Sequence, residues 1–212
     1  RMAFSCEPQR TPTSVQARKH RAVAAINGSF FDMNQHNPIC HLRIRGKDVG
    51  INEPGSDTAV RKYYQTGTLV LQDGKPLILK TGKSRHWETT LAYADIMTAG
   101  PLLIYRGERQ TFRQDRTFVT DRHNRTAVAV KADGTVLLFC VDGRMKESSG
   151  MTLDELTQTL LLLGCYDALN LDGGGSTTLW VRDRVVNYPT DNGRFDHEGE
   201  RRVSNCILIR SK

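Results

Sequence analysis

The chain is 212 residues long, 38% apolar and 25% charged, with 30 Lys and Arg against 23 Asp and Glu. That length can bury the core of one domain, and the lack of any eighteen-residue apolar run excludes a membrane-spanning helix. The net charge of +7 favours anionic partners. The basic residues form no block of five or six, so nucleic acid is not an expected partner.

The first twenty residues, RMAFSCEPQRTPTSVQARKH, hold no apolar signal-peptide core and read as a mature or trimmed end. Within them, 11–20 carries a short helical pattern behind a Thr-Pro start. AVAAI (22–26) reads as a buried strand running into NGSFFD. GTLVLQDGKPLILK (67–80) is a hairpin signal about Asp73-Gly74, PLLIYRGER (101–109) a strand, and TAVAVKADGTVLLFCV (126–141) a second hairpin. Thr152 and Glu155 make a capping box ahead of Leu153, Leu156, Leu160 and Leu163, and Gly164 stops that helix. Strands at 177–181, 184–187 and 203–209 close the chain. Many short strands, two hairpins and one or two main helices predict an α+β single domain over 1–212, built on a mixed, largely antiparallel sheet.

ALNLDGGGSTTLW (168–180) concentrates the chemistry. Asp172 stands where an apolar strand gives out, which places its carboxylate at a sheet rim. Gly173, Gly174 and Gly175 let main-chain N–H groups converge on an anion as a nest, and Ser176 adds a hydroxyl. The competing reading is an irregular turn that another backbone approaches closely. Asp142-Gly143-Arg144 likewise ends a strand. Carboxylates at the ends of two neighbouring strands would face one pocket, and paired carboxylates are what glycosyl transfer to water requires; otherwise this is a plain turn. In DRHNRTAVAV, Arg125 is the best phosphate ligand because its guanidinium grips two oxygens, and His123 is a proton donor or a neutral hydrogen-bond partner. Asn27, Gly28 and Ser29 at a strand end suit a hydroxyl-rich ligand, with Phe30 or Phe31 stacking on a sugar or lying in the core. Arg201 and Arg202 precede the final strand, in which Asn205 either pins a loop or touches ligand.

In this order, INGSFFD, AGPLLI, RTAVAV, VDGR, GMTLDEL, DALNLDGGGSTTLW, VVNYP and RRVSNCILI resemble the phosphodiester glycosidase family from about Val15 to Ile209. The resemblance implies hydrolysis of a sugar-1-phosphodiester, such as N-acetylglucosamine-1-phospho-6-mannose, at its glycosidic bond. It implies a cavity lined by Asn27, Arg125, Asp172, Gly173, Gly174, Gly175, Ser176 and Asn205, joined by Asp142 and Arg202. Combined with the residue reading, it makes Asp172, Asp142 and Arg125 the expected catalytic set, with Gly28, Ser29, His123 and Arg144 among the substrate contacts. Members often carry extra sequence before the first helix, which predicts that part of the sheet is missing here. Cys140, Cys165 and Cys206 stand where Ala or Val is expected, which implies buried thiols.

Three other readings compete. A non-catalytic phosphoglycan-binding module needs Arg125 and the nest but no paired acids. A metal-dependent phosphodiesterase would hold calcium or magnesium on Asp32, Asp121, Asp142 and Asp172, although no cofactor is expected from a ligand motif. A nucleic-acid binder rests on charge alone. The five cysteines show no CxxC and no zinc spacing, and Cys6 and Cys40 are placed to pair if the protein is exported, as a phosphoglycan enzyme would be.

Overall fold

The computed structural model describes residues 1–54, 61–114 and 116–211. In chain order the strands begin β1 (Met2–Pro12), β2 (Ala24–Asn27), β3 (Leu42–Ile44), β4 (Lys47–Gly50) and β5 (Gly67–Gln72). They continue with β6 (Lys75–Lys80), β7 (Asp95–Ala99), β8 (Leu102–Tyr105), β9 (Glu108–Arg109) and β10 (Arg125–Lys131). The last are β11 (Val136–Val141), β12 (Cys165–Asn170), β13 (Leu179–Val181), β14 (Arg184–Val185) and β15 (Arg202–Ile209). Helices α1 (Thr13–Lys19), α2 (Thr117–Thr120) and α3 (Leu153–Leu162) lie between them.

The strands form three five-stranded sheets, not one, ordered β1-β15-β2-β13-β14, β11-β10-β12-β8-β9 and β4-β3-β7-β5-β6. Every strand pairing is antiparallel. All three sheets feed a common core that includes Phe4, Ile26 and Ile207 from the first, Leu102, Val128 and Leu169 from the second, and Leu42, Leu69 and Met97 from the third. The period-two alternation of a strand sends neighbours to opposite faces. So Ala127 and Ala129 of β10 leave that core and meet Leu153, Leu156 and Leu160 of α3. Likewise Cys206 and Leu208 of β15 pack with Ala17 of α1.

Both predicted hairpins form. The β5–β6 turn places Asp73 (φ 54°) and Gly74 (φ 75°) in the left-handed region a two-residue hairpin needs. The capping box is made in full: Thr152 Oγ1 accepts from Glu155 N at 3.1 Å, and Glu155 Oε2 accepts from Thr152 N at 2.9 Å. Residues 101–109 are a hairpin, not one strand, because the chain turns at Arg106-Gly107. The stretch before α1 is β1, which pairs along β15. Cys6 and Cys40 are free thiols, Cys6 beside Ser204 Oγ (3.7 Å) and Cys40 beside Tyr64 O (3.5 Å). Cys165 and Cys206 are buried, Cys140 is half-buried, and burial pushes the Cys206 thiol up to about 12.

Candidate active site

The end of β2, the start of β10, the end of β12 and the turn before β13 meet at one place. Asn27, the last residue of β2, is the clamp. Its Nδ2 donates to Asp172 O (2.6 Å), while its Oδ1 accepts from Thr178 N (3.1 Å) and Thr126 Oγ1 (3.0 Å). Asn205 does the same for the next residues. Its Oδ1 accepts from Ser29 N (2.7 Å), and its Nδ2 donates to Ser29 O (3.3 Å). Gly28 is needed there because a Cβ would collide with the Asn205 side chain. Asn27, Ser29 and Asn205 are buried and spend these hydrogen bonds on the framework. The loop-pinning reading of Asn205 is therefore the one the structure carries.

The three glycines are explained by close approach. The N–H of Gly174 donates to Asn124 O (3.0 Å), that of Ser176 to Gly173 O (3.2 Å) and that of Thr177 to Gly174 O (3.1 Å). Of the three glycine N–H groups expected to converge as a nest, that of Gly174 is thus turned to the Asn124 carbonyl and that of Gly173 lies against the Asp172 carboxylate. A Cβ on Gly173 would stand 2.6 Å from Asn124 O. One on Gly174, whose φ is +59°, would stand 2.9 Å from the Arg144 guanidinium. One on Gly175 would stand 2.5 Å from Arg201 Nη2 and against Asp191 Oδ1. Bare backbone lets two guanidiniums lie directly on the turn beside Asp172.

Asp172 is half-buried, and burial pushes its carboxyl up to about 6. Ser176, Arg201, the Gly173 N–H and Arg144 act in the opposite direction. Thr178 Oγ1 and Asn124 Oδ1 are buried near this turn with no partner at hydrogen-bond geometry among the described residues. The Arg144 guanidinium lies 3.3 Å from His123 Nδ1. Burial, then Arg125 and Arg144, push the His123 pKa down, so its ring is neutral near pH 7 and accepts from Arg144. Arg201 reaches Asp191 Oδ1 through Nε (2.8 Å) and Nη2 (2.5 Å).

Two expected catalytic residues are placed differently from the sequence reading. Arg125 is buried, with Nε on Met151 O (2.8 Å) and Nη2 on Phe118 O (2.8 Å) and Asp121 O (2.9 Å). Burial, with Arg144 next, lowers its pKa to about 10, which leaves it charged. It braces β10 against α2 and does not offer an open two-nitrogen fork. Asp142 and Asp172 follow β11 and β12, which flank β10 on opposite sides and are not neighbours. Asp142 Oδ1 accepts from Asn187 Nδ2 (2.9 Å) and Tyr188 N (3.0 Å), anchoring the segment that carries Asp191. Arg202 is exposed at the start of β15, and its neighbour Arg201 is the one on the glycine turn. Asp32 caps the N–H groups of Asn34 and Gln35. Among the described residues no three His, Cys, Asp or Glu side chains converge.

The phosphodiester glycosidase family model matches residues 20–210. The chain belongs to that family. It is 30% identical over 182 residues to an uncharacterised SPbeta prophage-derived protein of Bacillus subtilis, covering 82% of this chain and 27% of the relative. It is 35% identical over 222 residues to the bovine N-acetylglucosamine-1-phosphodiester alpha-N-acetylglucosaminidase, covering 96% of this chain and 40% of that protein. The chain therefore spans well under half the length of these relatives. The fold matches the zebrafish catalytic domain of the same name, solved in a form auto-inhibited by its pro-peptide. The TM-score is 0.79 at 21% identity, over 100% of this chain and 73% of that one.

In this member of the family, two residues at the site escaped the sequence reading, and a third, Arg201, was named there only beside Arg202. Arg201 had an adjacent arginine with the same chemistry, and only the fold tells them apart. Asp191 lies in a polar loop and is recruited by Arg201 from ten residues away. Tyr63 carries no motif; burial raises its hydroxyl pKa, and the Asp172 carboxylate adds to that rise.

Proposed function

We propose that the protein hydrolyses the glycosidic bond of a sugar-1-phosphodiester such as N-acetylglucosamine-1-phospho-6-mannose, releasing free sugar and a phosphomonoester. The observation that carries this reading is a single raised-pKa carboxylate, Asp172, flanked by Arg144 and Arg201 on a glycine turn. Family membership and the name of the bovine relative support it.

The chemistry follows from the groups present. The C1–O bond breaks, the bridging oxygen leaves with the phosphate, and the oxygen of water ends on C1. A phosphomonoester has a second pKa of about 6, so it departs without full protonation. It needs positive charge instead, which Arg144 supplies, with Arg201, paired to Asp191, beside it. Above pH 6 Asp172 is a carboxylate and serves the electron-poor anomeric carbon. His123, held neutral, orients Arg144, while Arg125, Asn27 and Asn205 keep the surrounding loops in place. No metal enters this scheme. The substrate class fits a protein working outside the cytoplasm.

The test is incubation with N-acetylglucosamine-phospho-mannose, followed by NMR, for the wild type and Asp172→Asn in parallel and with chelator present. Free N-acetylglucosamine plus mannose-6-phosphate, lost in the variant, is the expected result. The first anomer formed gives retention or inversion. Release of N-acetylglucosamine-1-phosphate would mean P–O cleavage and overturn the reading. Binding without turnover would identify a phosphoglycan-binding module.

A further inference from the structure

A cavity of about 750 Å³ lies beside the aromatic cluster that backs the site. Among the described residues its lining holds five basic side chains and no acidic one. Two of these are internally neutralised: Arg61 by Glu88 (2.7 and 2.8 Å) and Lys62 by Glu53 (2.8 Å). Lys80 and Arg116 differ. Lys80 Nζ donates only to the neutral Gln110 Oε1 (3.0 Å), and Arg116 lies 5.9 Å from the Tyr63 ring centre without a carboxylate partner among the described residues. Both are exposed.

The apolar part of the lining is aromatic. Tyr63 and Tyr64 meet edge to face at 5.0 Å, and Tyr63 packs against Phe118 at 4.9 Å. This is also the link to the reaction centre. Phe118 receives Arg125 through its carbonyl, and Tyr63 feels the charges of both Asp172 and Arg125. Ring faces beside unpaired cations suit a ligand that alternates apolar sugar faces with anionic groups. The volume is well within the range of sites that take a ligand of several rings, so one phosphate alone would leave most of it empty.

We propose that this cavity is a subsite for the leaving-group side of the substrate, and that the substrate is a repeating sugar-phosphate chain. A sugar of that chain lies on Tyr63, and its next phosphate is held by Lys80 and Arg116. This rests on the hydrolytic reading above and names the substrate class that reading leaves open.

The test compares a synthetic trimer of phosphodiester-linked N-acetylglucosamine with the single phosphodiester, using wild type and a Lys80→Ala/Arg116→Ala variant. The variant should raise KM for the trimer on the order of tenfold, the worth of two charge-assisted contacts at a partly exposed site. Its kcat on the trimer and all its kinetics on the single phosphodiester should be unchanged. Equal effects on both substrates, or none on either, would overturn the subsite. Calorimetric titration of the trimer into Asp172→Asn protein, with and without the two alanines, separates the claims. Binding that depends on Lys80 and Arg116, with no turnover of any substrate by wild type, would keep the subsite and remove the hydrolytic reading. Binding indifferent to both residues would remove the subsite.

Discussion

Replacing Asp172 by Asn should stop turnover and at the same time make the folded protein more stable. The Asp172 carboxyl is pushed from 3.8 to about 6, chiefly by burial. A unit of pKa is worth 1.36 kcal/mol, so holding this group ionised in the fold costs about 3 kcal/mol as an upper bound. Partial exposure and solvent screening lower that, to about 1–3 kcal/mol. The sign follows from linkage. The unfolded chain loses the proton near 3.8 and the folded chain near 6, so the favourable contribution is present below about pH 4 and is lost as pH rises through 6. An amide has no charge to bury and escapes this loss. Urea unfolding at pH 8 should show the Asn variant more stable by about 1–3 kcal/mol, and at pH 4 the difference should shrink toward zero. A variant less stable at pH 8, or a difference equal at both pH values, would refute the reasoning. The active-site carboxylate would then not be held against an electrostatic penalty.

If Asp172 works as a carboxylate, kcat/KM should rise with pH through an apparent pKa of about 6; a fall through that region would make it the acid. Arg201→Ala should lower kcat/KM by on the order of tenfold to a hundredfold by removing charge next to the leaving phosphate, while Arg202→Ala should stay within about twofold of wild type; the reverse order would displace Arg201 from the site. Gly173→Ala drives a Cβ to 2.6 Å from Asn124 O and should cost about 1–3 kcal/mol in thermal or urea unfolding, since backbone must move. Thr152→Ala removes the α3 cap and should cost about 1 kcal/mol of stability with kcat unchanged, which stability and activity assays on one preparation can check.

Periodicity and turn chemistry are local, and what they govern was readable. The α3 capping box, the Asp73-Gly74 turn and the alternation in β10 all appear where the residue order placed them. Strand β1 was not readable: MAFSCEPQRTP alternates poorly, and its strand state comes from pairing with residues 202–209. The sheet count was hidden for the same reason, since strand partners lie far apart in sequence. In the candidate site, Asn27, Thr126, Asp172 and Thr178 meet through hydrogen bonds. The roles within it sort by burial and by hydrogen-bond partner, which no motif encodes. Arg125 and Asn205 look like ligand contacts in one dimension because they are polar residues in apolar strands, and they are braces in three for the same reason. Arg144 was named as a contact from its motif, but that it and Arg201 lie on the glycine turn follows only from the fold.

Strand β1 lies against β15, with Met2 opposite Ile209. The residue that fixes the Ser29 loop, Asn205, is on that same final strand. During synthesis the Asp172 turn therefore leaves the ribosome before the part that secures its surroundings exists. The surroundings of the Asp172 turn are therefore incomplete until β15 has joined the first sheet. Pairings as far apart in sequence as Met2 and Ile209 are slow to close, so closure of this seam sets when the candidate site is assembled.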